Sequence, residues 1–382
     1  MDLMDSGSER HATSFNGHDH PTGRPPARTG EQRVSVLVIG GGQAGLATGF
    51  YLQKLGIEFQ IMDAGRHVGD TWRTRWKSLR LFTPSAFNQL PGAPWPRPAG
   101  YYPTKDEVAD YLRAYAHRVG LPVALGCRVE SLHRVDGRFV AATSSGPVEA
   151  NGVVVATGPY THPHLPDLAA ELDPQIHQVH SSAYQDETCL PPGPVLVVGA
   201  GNSGAEIALE LSASRTTYLA GRDTGHVPFT MGARSYRFLQ RLTVDTAAGR
   251  RLRRHLDGKG HPLVRVSPHM LRRAGVRRTG PVVATAGGRP VASATALDVS
   301  AVVWCTGFRP DYRWIHLGQV QRVVPAHRRG VAVHTPNLYF VGLPFQSSAT
   351  SHLLGGVATD ARHVVQHLAA GRGRDAANGL GR

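Results

Sequence analysis

Apolar residues concentrate in two short runs along the chain, and each run is followed by a glycine-rich turn. The first run covers 34–39 and the second covers 194–198. Short runs rich in valine and isoleucine are typical of strands that are buried on both faces of a parallel sheet. After each turn, residues 46–55 and 205–211 place apolar side chains at helical spacing. The pattern therefore predicts two strand–turn–helix units in one chain.

Shorter patterns surround these units. Residues 105–119 place apolar side chains on one stripe of a predicted amphipathic helix. The proline-rich segment 90–103 cannot form regular structure and is predicted to be a loop. Short strands are predicted at 121–125, 127–135, 139–143 and 153–156. Alternating helices and buried strands predict an α/β fold.

The first turn has the spacing Gly-x-Gly-x-x-Gly, formed by Gly40, Gly42 and Gly45. In a dinucleotide-binding fold the first glycine allows a sharp turn, the second leaves room for a pyrophosphate, and the third lets the helix pack on the sheet. The next apolar segment, 57–62, ends in Asp63, where a carboxylate accepts hydrogen bonds from a ribose. This unit therefore predicts a dinucleotide with a free 2′-hydroxyl. The alternative is a glycine-rich turn without a ligand.

The second turn repeats this spacing. Its candidate phosphate-binding residues are Gly199, Gly201, Asn202, Ser203 and Gly204. The strand after its helix is followed by Arg222 instead of an acid, and a cation there can pair with a ribose 2′-phosphate. The site therefore favours NADPH, although a solvated surface cation is the alternative for Arg222. Two dinucleotide sites suggest that electrons pass from a nicotinamide to a second cofactor, for which FAD is the obvious candidate.

Further motifs resemble the flavin-containing monooxygenase superfamily, and most closely its CzcO-like and YUCCA-like members. They are Gly-Asp-Thr-Trp at 69–72, Ser-Leu-Arg-Leu at 78–81, Ala-Thr-Gly at 156–158 and the runs at 302–308 and 337–344. The resemblance implies two Rossmann-like dinucleotide-binding domains, with an NADPH domain inserted into a discontinuous FAD domain. The expected division is a disordered tail at 1–32, an FAD domain at 33–160 and 296–370, an NADPH domain at 161–295, and a tail at 371–382.

The resemblance also implies roles for individual residues. Thr71 and Trp72 would line the flavin side, and Gly342 would face the flavin end. FAD would be held by Gly40, Gly42, Gly45 and Asp63, and NADPH by Gly199, Gly201, Asn202, Ser203, Gly204 and Arg222. The length of the arginine-rich segment 223–295 suggests a cap near the substrate entrance.

Two regions depart from the family pattern. In the linker motif, His180 and Tyr184 match, whereas Pro174 and Ile176 replace a phenylalanine and a glycine. Phe82 stands where animal-type members place an asparagine beside the flavin, and a phenyl ring cannot make the hydrogen bonds of an amide. His180, Tyr184 and Phe82 are therefore candidates near the flavin and the linker, and none is assigned a catalytic step. A structural linker histidine is the alternative for His180.

The resemblance implies an FAD-dependent, NADPH-using monooxygenase that forms a flavin (hydro)peroxide and oxygenates a small organic substrate with dioxygen. The organic chemistry belongs to the cofactor, so no catalytic triad is required. Because of Phe82, an NADPH oxidase or a flavin reductase that donates electrons to a partner is the main alternative. A disulfide reductase is disfavoured because the chain has no Cys-x-x-Cys. A non-catalytic NADPH-sensing module is a further alternative.

Composition narrows the remaining classes. The net charge of +14 would suit nucleic acid, but the arginines are scattered and lack interleaved aromatic residues, so no nucleic-acid partner is expected. No apolar run approaches the ~20 residues that span a bilayer, so no integral membrane segment is expected. Cys127, Cys189 and Cys305 have no metal-ligand spacing, which predicts no metal site and fits a reducing, cytoplasmic location. Substrate and oligomeric state stay open.

Overall fold

The computed structural model describes residues 32–256, 261–318 and 326–379, so the predicted tail 1–32 lies outside the described residues except for Gln32. The predicted α/β fold is confirmed. The helices are α1 (Gln43–Lys54), α2 (Asp70–Arg73), α3 (Lys105–Val119), α4 (Asn202–Leu211), α5 (Ala233–Arg241), α6 (Ala247–Leu256), α7 (Pro268–Arg273) and α8 (Val357–Gly379). Short 3-10 turns lie at Ser85–Phe87, Asp167–Glu171 and Glu187–Cys189.

The strands fall into two larger sheets and two small ribbons. Those before α4 are β1 (Gln32–Ile39), β2 (Phe59–Met62), β3 (Val123–Ala124), β4 (Val129–Val135), β5 (Arg138–Thr143), β6 (Gly146–Val155), β7 (His162–Pro163), β8 (His177–His180) and β9 (Val195–Val198). Those after α4 are β10 (Thr217–Ala220), β11 (Arg277–Thr279), β12 (Val282–Ala286), β13 (Arg289–Ala292), β14 (Thr295–Ala296), β15 (Ala301–Trp304), β16 (Phe308–Arg309), β17 (His327–Arg328), β18 (Val331–Ala332) and β19 (Leu338–Phe340).

The first unit is built on a sheet with the strand order β17-β18-β19-β6-β1-β2-β3, and the hairpin β4–β5 continues from β6. β1 pairs in parallel with β2 and β6, as a run buried on both faces predicts. Side chains alternate along β1. Val36 and Val38 pack toward α1, α3 and α8, whereas Leu37 and Ile39 face a second core that includes the β4–β5 hairpin.

The predicted amphipathic helix at 105–119 is confirmed as α3 with the same bounds. Thr104 and Glu107 form a capping box at its start, and Gly120 ends it in a left-handed conformation. Local sequence signals at both ends therefore fix this helix.

The second unit has the strand order β11-β10-β9-β15-β8, and every pair in this sheet is parallel. Val195 and Val197 of β9 pack with α4 and α7, and Leu196 and Val198 pack on the opposite face. Each unit thus has a central parallel strand with helices or loops covering both faces.

Two predicted boundaries are corrected by the structure. The division at 295/296 would give β15 to the first unit, but β15 pairs with β8 and β9 of the second. A short buried apolar strand fits either sheet, and only long-range pairing decides between them. The predicted tail 371–382 also begins too early, because α8 continues to Gly379. No proline interrupts that stretch to stop the helix.

Residues 74–80, which we call the strap, connect the two units. Trp76 is 5% exposed and packs in the core of the second unit beside β9 and α4. The Lys77 backbone N–H donates to the Gln185 carbonyl at 2.8 Å, and its ammonium pairs with the Asp186 carboxylate at 2.5 Å. A buried tryptophan and a set of polar contacts therefore hold the strap against the second unit.

Candidate functional site

The first glycine turn joins β1 to α1. Gly40 has a φ of +109°, and a Cβ atom added there would lie 2.5 Å from the Ala156 carbonyl oxygen. A Cβ atom on Gly45 would lie 1.8 Å from the Gly40 carbonyl oxygen. A Cβ atom on Gly42 would meet no described atom within 4 Å, and its backbone is extended (φ −77°, ψ −172°), which any residue can adopt. Protein packing therefore requires glycine at 40 and 45 but not at 42.

In the second turn, between β9 and α4, packing again requires the first and third glycines but not the middle one. A Cβ atom on Gly199 would lie 2.2 Å from the Cys305 carbonyl oxygen, and one on Gly204 would lie 1.8 Å from the Gly199 carbonyl oxygen. Gly201 has an extended backbone (φ −78°, ψ −170°). A Cβ atom added to it would meet no described atom within 4 Å. Beside the middle glycine of each turn there is open space that a side chain would enter, as a phosphate-binding turn requires.

The helices that follow these turns begin without side-chain caps. Neither α1 nor α4 has a side-chain cap hydrogen bond or an acidic residue in its first turn, in contrast to the capped helix α3. The first N–H groups of a helix have no partner within the helix, and the helix dipole favours an anion beside them. Both helix starts therefore fit a bound phosphate group.

Asp63 lies directly after β2, beside the first turn. Its Oδ2 accepts the Gly41 N–H at 2.5 Å, and its Oδ1 accepts the Gly65 N–H at 2.7 Å. These two bonds hold the carboxylate in place, and each oxygen can still accept a second hydrogen bond. The half-buried carboxylate is thus oriented and able to accept from a ribose hydroxyl.

The corresponding end of β10 carries positive charge. Arg222 is exposed there, and Arg278 of the neighbouring strand β11 donates to the carbonyl oxygens of Leu219 and Gly221, both at 3.3 Å. Asp223 accepts the N–H of Gly225, and its charge raises the pKa of Arg278 against the lowering caused by burial. Arg278 was missed in the sequence because only the β10–β11 pairing brings it to this strand end.

Of the three residues predicted to line the flavin, the structure brings Gly342 next to the first turn. Thr71 and Trp72 are in α2, where Thr71 is exposed and Trp72 packs against the first core. Gly342 follows β19 with a φ of +92°, and a Cβ atom on it would lie 2.9 Å from the Ala44 Cβ at the start of α1. Gly342 is therefore brought next to the first turn.

Asn202 and Ser203 are the first residues of α4. The Asn202 amide donates to the Pro262 carbonyl at 3.0 Å and accepts the Val264 N–H at 2.9 Å. These two bonds orient the Asn202 side chain, and its amide nitrogen keeps a second N–H that a phosphate could accept from. Ser203 is half-buried.

His180 ends β8 and has a protein partner for each ring nitrogen. Nδ1 accepts the Ser182 N–H at 3.1 Å, so the proton resides on Nε2, which donates to the Gly307 carbonyl at 3.0 Å. Burial lowers the pKa of His180, with further lowering from the nearby Arg75. Both ring nitrogens therefore have protein partners, and a role for His180 near the flavin and the linker stays a prediction.

Tyr184 is fully buried, and its hydroxyl donates to the Glu210 carboxylate on α4 at 2.7 Å. Burial is the main cause that raises its pKa. The Ser78 hydroxyl on the strap donates to the other oxygen of Glu210. Tyr184 thus shares the Glu210 carboxylate with the strap, and its role near the flavin and the linker stays a prediction.

Phe82 lies two residues beyond the strap and is half-buried. Its neighbour Leu81 packs in the first core and donates its N–H to the Pro103 carbonyl at 2.8 Å. Its place beside the flavin stays a prediction. His180 and Tyr184 have side chains that hydrogen-bond to the protein, whereas the Phe82 side chain has no hydrogen-bonding group.

Glu206 is a further residue that the sequence did not reveal, since a glutamate within a helix is ordinary. It lies one turn after Asn202 on α4, and burial raises its pKa to about 7 while Arg265 opposes that shift from 3.7 Å. Arg265 also donates to the Arg80 carbonyl at 2.9 Å. A carboxyl group that titrates near neutral pH therefore lies where α4 meets the strap.

Within the described ranges, no group of three His, Cys, Asp or Glu side chains could hold a metal ion. The described part of the chain also has no helix of the length and apolarity needed to cross a membrane. Cys127 is buried, Cys189 is exposed and Cys305 is half-buried, and all three are free. Burial raises the pKa of Cys305 to about 12, so this thiol is unreactive.

Comparison with known proteins supports these observations. Residues 37–226 match a family model described as pyridine nucleotide-disulphide oxidoreductase. The chain is 40% identical over 342 residues to an oxidoreductase named CzcO-like from Geobacillus kaustophilus, covering 88% of this chain and 98% of that protein. It is 32% identical over 185 residues to the indole-3-pyruvate monooxygenase YUCCA1 of Oryza sativa, covering 46% and 44% of the two chains.

Among solved structures, the fold is similar to that of a flavin-containing monooxygenase from Stenotrophomonas maltophilia. The TM-score is 0.73 at 29% identity, and the match covers 89% of this chain and 99% of the other. The similarity therefore extends over both units.

Proposed function

This chain belongs to the flavin-containing monooxygenase superfamily, among its CzcO-like oxidoreductases, and from that premise we propose that it is an FAD-dependent monooxygenase that takes electrons from NADPH and oxygenates a small organic molecule. The observation that carries this proposal is the pair of open glycines, Gly42 and Gly201. Each leaves room for a ligand where protein packing does not require glycine. Two such cradles in one chain fit two dinucleotides.

The residues of the first unit fit FAD. Gly42 and the uncapped start of α1 would hold the pyrophosphate, and the Asp63 carboxylate would accept a ribose hydroxyl. Thr71, Trp72 and Gly342 would lie along the flavin. When bound, FAD supplies two-electron redox chemistry and reactivity toward dioxygen, which no amino-acid side chain provides.

The residues of the second unit fit NADPH. Gly201 and the start of α4 would hold its pyrophosphate, and Arg222 with Arg278 would pair with the 2′-phosphate. Two guanidinium groups at one strand end strengthen the preference beyond what Arg222 alone supports. The nearby Asp223 carboxylate accepts the Gly225 N–H, and its charge partly offsets that of Arg278.

The protein's own contribution is orientation and exclusion of water. Glu210 of α4 accepts hydrogen bonds from Tyr184 and from Ser78 of the strap. The bond from Ser78 holds α4 against the strap, which connects the two units, and thereby helps to fix the position of one glycine turn relative to the other. Phe87 of the first unit stacks on Tyr236 of the second with ring centroids 4.5 Å apart. Such an apolar seam between the units limits the entry of water to a reactive cofactor.

A second function, an NADPH oxidase or a flavin reductase serving a partner, uses the same cofactors. It is favoured by Phe82, which replaces the asparagine expected beside the flavin and cannot act as a hydrogen-bond donor there. The two functions use the same two dinucleotide sites and differ only in whether an atom of dioxygen is transferred to a substrate.

The test is an oxygen balance on purified protein. NADPH oxidation, hydrogen peroxide release and transfer of ¹⁸O from ¹⁸O₂ into added thioanisole or indole are measured together. A monooxygenase gives a yellow protein, labelled product, and less peroxide than NADPH consumed. Peroxide equal to NADPH with every substrate would establish the oxidase, and a colourless protein that cannot be reconstituted with FAD would overturn both functions.

A further inference from the structure

The chain passes between the two units twice, and each crossing starts beside a glycine turn. The first crossing, residues 156–167, follows β6 and leads to Leu168, which packs against a core of the second unit. The second crossing, residues 305–311, follows β15 and leads to Tyr312, which packs in a core of the first unit. The first residue of each crossing supplies the carbonyl oxygen on which the first glycine of one turn packs. The crossings therefore connect the two candidate dinucleotide sites through the backbone.

The two crossings are hydrogen-bonded to each other. Within them, β7 and β16 form a short antiparallel ribbon. The His164 N–H donates to the Gly307 carbonyl at 3.0 Å, and the Thr161 hydroxyl donates to the Arg309 carbonyl at 3.2 Å. The two crossings thus form a single connection between the units.

Arg75 of the strap places its guanidinium against an aromatic ring of each crossing. The Arg75 Cζ lies 5.0 Å from the centre of the Phe308 ring and 5.6 Å from the centre of the Tyr160 ring. The two rings meet edge to face with their centroids 5.5 Å apart. Both distances to the cation lie within the range of cation–π attraction. Because Tyr160 belongs to the first crossing and Phe308 to the second, one cation contacts both.

The two rings are what holds the Arg75 side chain. Among the described residues, no carboxylate or carbonyl oxygen accepts a hydrogen bond from its guanidinium. Tyr160 is 54% exposed and Phe308 is half-buried, so Phe308 makes the more shielded of the two contacts. Water weakens a cation–π contact, and the shielded one is therefore the stronger. The hold of Arg75 on the crossings depends on these rings, and mainly on Phe308.

The residues around Arg75 extend this contact into both units. The Phe308 ring meets the ring of His180, at the end of β8, edge to face with the centroids 5.1 Å apart. Trp76, the neighbour of Arg75, is buried in a core of the second unit, whereas Trp72 packs against a core of the first. Arg75 therefore lies where the strap, both crossings and the second sheet meet.

We propose that Arg75 is a positioning residue: it holds the strap to both crossings, fixes the angle between the two units, and thereby sets the approach of the nicotinamide to the flavin. The catalytic part of this proposal rests on the proposed function. A misplacement of reacting groups by about 1 Å can reduce a rate by about a hundredfold. Arg75 acts through the frame of the protein and takes no part in bond making.

The first test measures the relation of the two units in the purified protein, without turnover. Cysteines for spin labels are introduced by Val135→Cys on β4 and Val283→Cys on β12, where the native side chains are 53% and 72% exposed. Cys189→Ser removes the exposed native thiol. The distance distribution between the labels is measured by pulsed electron spin resonance. We expect a narrow distribution in this background and a broader one after Arg75→Met, which keeps an unbranched apolar side chain without the charge. An unchanged distribution would overturn the proposal.

The second test separates positioning from binding in the holoenzyme. Flavin reduction is followed in stopped flow at increasing NADPH concentrations. We expect Arg75→Met to lower the limiting rate about tenfold, while the NADPH concentration for half-maximal rate stays within about twofold. Phe308→Leu should act in the same direction, and the double variant should be no slower than Arg75→Met alone, because both changes remove one contact. Arg75→Lys, which keeps a cation beside the rings, should recover at least about half of the wild-type rate.

Arg73→Met is the matched control. Arg73 lies in α2, two residues before Arg75, and pairs with Asp110 of α3 at 2.9 Å, within the first unit. Its loss should leave the distance distribution and the limiting rate unchanged, since exposed ion pairs contribute little. The proposal fails if Arg73→Met slows flavin reduction as much as Arg75→Met does, or if Arg75→Met keeps the wild-type rate. A protein without FAD would instead overturn the proposed function, and the distance measurement would still decide whether Arg75 fixes the units.

Discussion

The two glycine turns of this protein have nearly the same geometry and different surroundings. In both, a Cβ atom on the first or third glycine would collide with a carbonyl oxygen, and one on the middle glycine would meet open space. Each first glycine packs on a Thr-Gly segment that follows a strand, Ala156-Thr157-Gly158 in one unit and Cys305-Thr306-Gly307 in the other. The shared part is thus a structural frame around one open position.

The difference lies at the end of the next strand. Asp63 holds the Gly41 and Gly65 N–H groups beside the first turn, whereas Arg222 and Arg278 stand at the end of β10. A carboxylate selects a ribose hydroxyl, and a guanidinium selects a phosphate. In each turn, therefore, packing requires two glycines and leaves the middle one free. In the proposed function, that middle glycine serves the ligand and the strand end determines which dinucleotide is bound.

The largest expected effect is a loss of stability when a glycine that packing requires is replaced. Gly45→Ala and Gly204→Ala each force a Cβ atom to 1.8 Å from a backbone carbonyl oxygen. We expect each to lower the free energy of unfolding by about 3 kcal/mol or more, measured by urea unfolding of the apoprotein. A loss below 1 kcal/mol in both would show that these turns are not closely packed.

A smaller effect is expected at the end of β10, where replacing Arg222 should change the preference between NADPH and NADH. A charge-assisted contact of the Arg222 guanidinium with a 2′-phosphate contributes roughly 1.5–3 kcal/mol. Arg222→Ala should therefore reduce the preference for NADPH over NADH about ten- to a hundredfold, measured as flavin reduction by each nicotinamide in stopped flow. FAD content should not change.

Arg278→Ala serves as the partner variant, with the same direction of change. If the wild-type protein already favours NADH, or if Arg222→Ala weakens both nicotinamides equally, Arg222 is a surface cation and the NADPH assignment is lost.

The smallest effect concerns the Glu210 carboxylate on α4, which accepts from Tyr184 within the second unit and from Ser78 of the strap. Tyr184→Phe removes the hydrogen bond to Glu210, which keeps its bond from Ser78. We expect about 1 kcal/mol less stability, near-normal FAD content and a modest rise in peroxide released per NADPH. An unaltered stability with complete loss of turnover would instead make Tyr184 a catalytic residue.

Local patterns were sufficient to predict the parts of the molecule that depend on near neighbours. The two strand–turn–helix units, the helix 105–119, and the strand-end positions of Asp63 and Arg222 all follow from residues close in sequence. These features obey steric and capping rules that act over a few residues.

Features that depend on distant pairing were not predictable. β15 has an apolar run that suits either sheet, and its pairing with β8 and β9 joins residues more than a hundred positions apart. Arg278 reaches the nucleotide strand end only because β11 pairs with β10. Tyr236 of α5 is buried against Phe87 of the first unit, and nothing local to either residue indicates that contact.

The central claim is that each glycine turn binds one dinucleotide, and its most direct test replaces the middle glycine of one turn at a time by alanine. Gly42→Ala and Gly201→Ala are sterically and conformationally allowed, and alanine there should leave apoprotein stability unchanged or raise it by about 0.4–1 kcal/mol. FAD content after purification and NADPH concentration for half-maximal flavin reduction are measured in both. The account predicts that Gly42→Ala weakens FAD binding at least about tenfold, while Gly201→Ala keeps FAD and requires at least about tenfold more NADPH. Two stable variants with wild-type FAD content and wild-type NADPH response would contradict it.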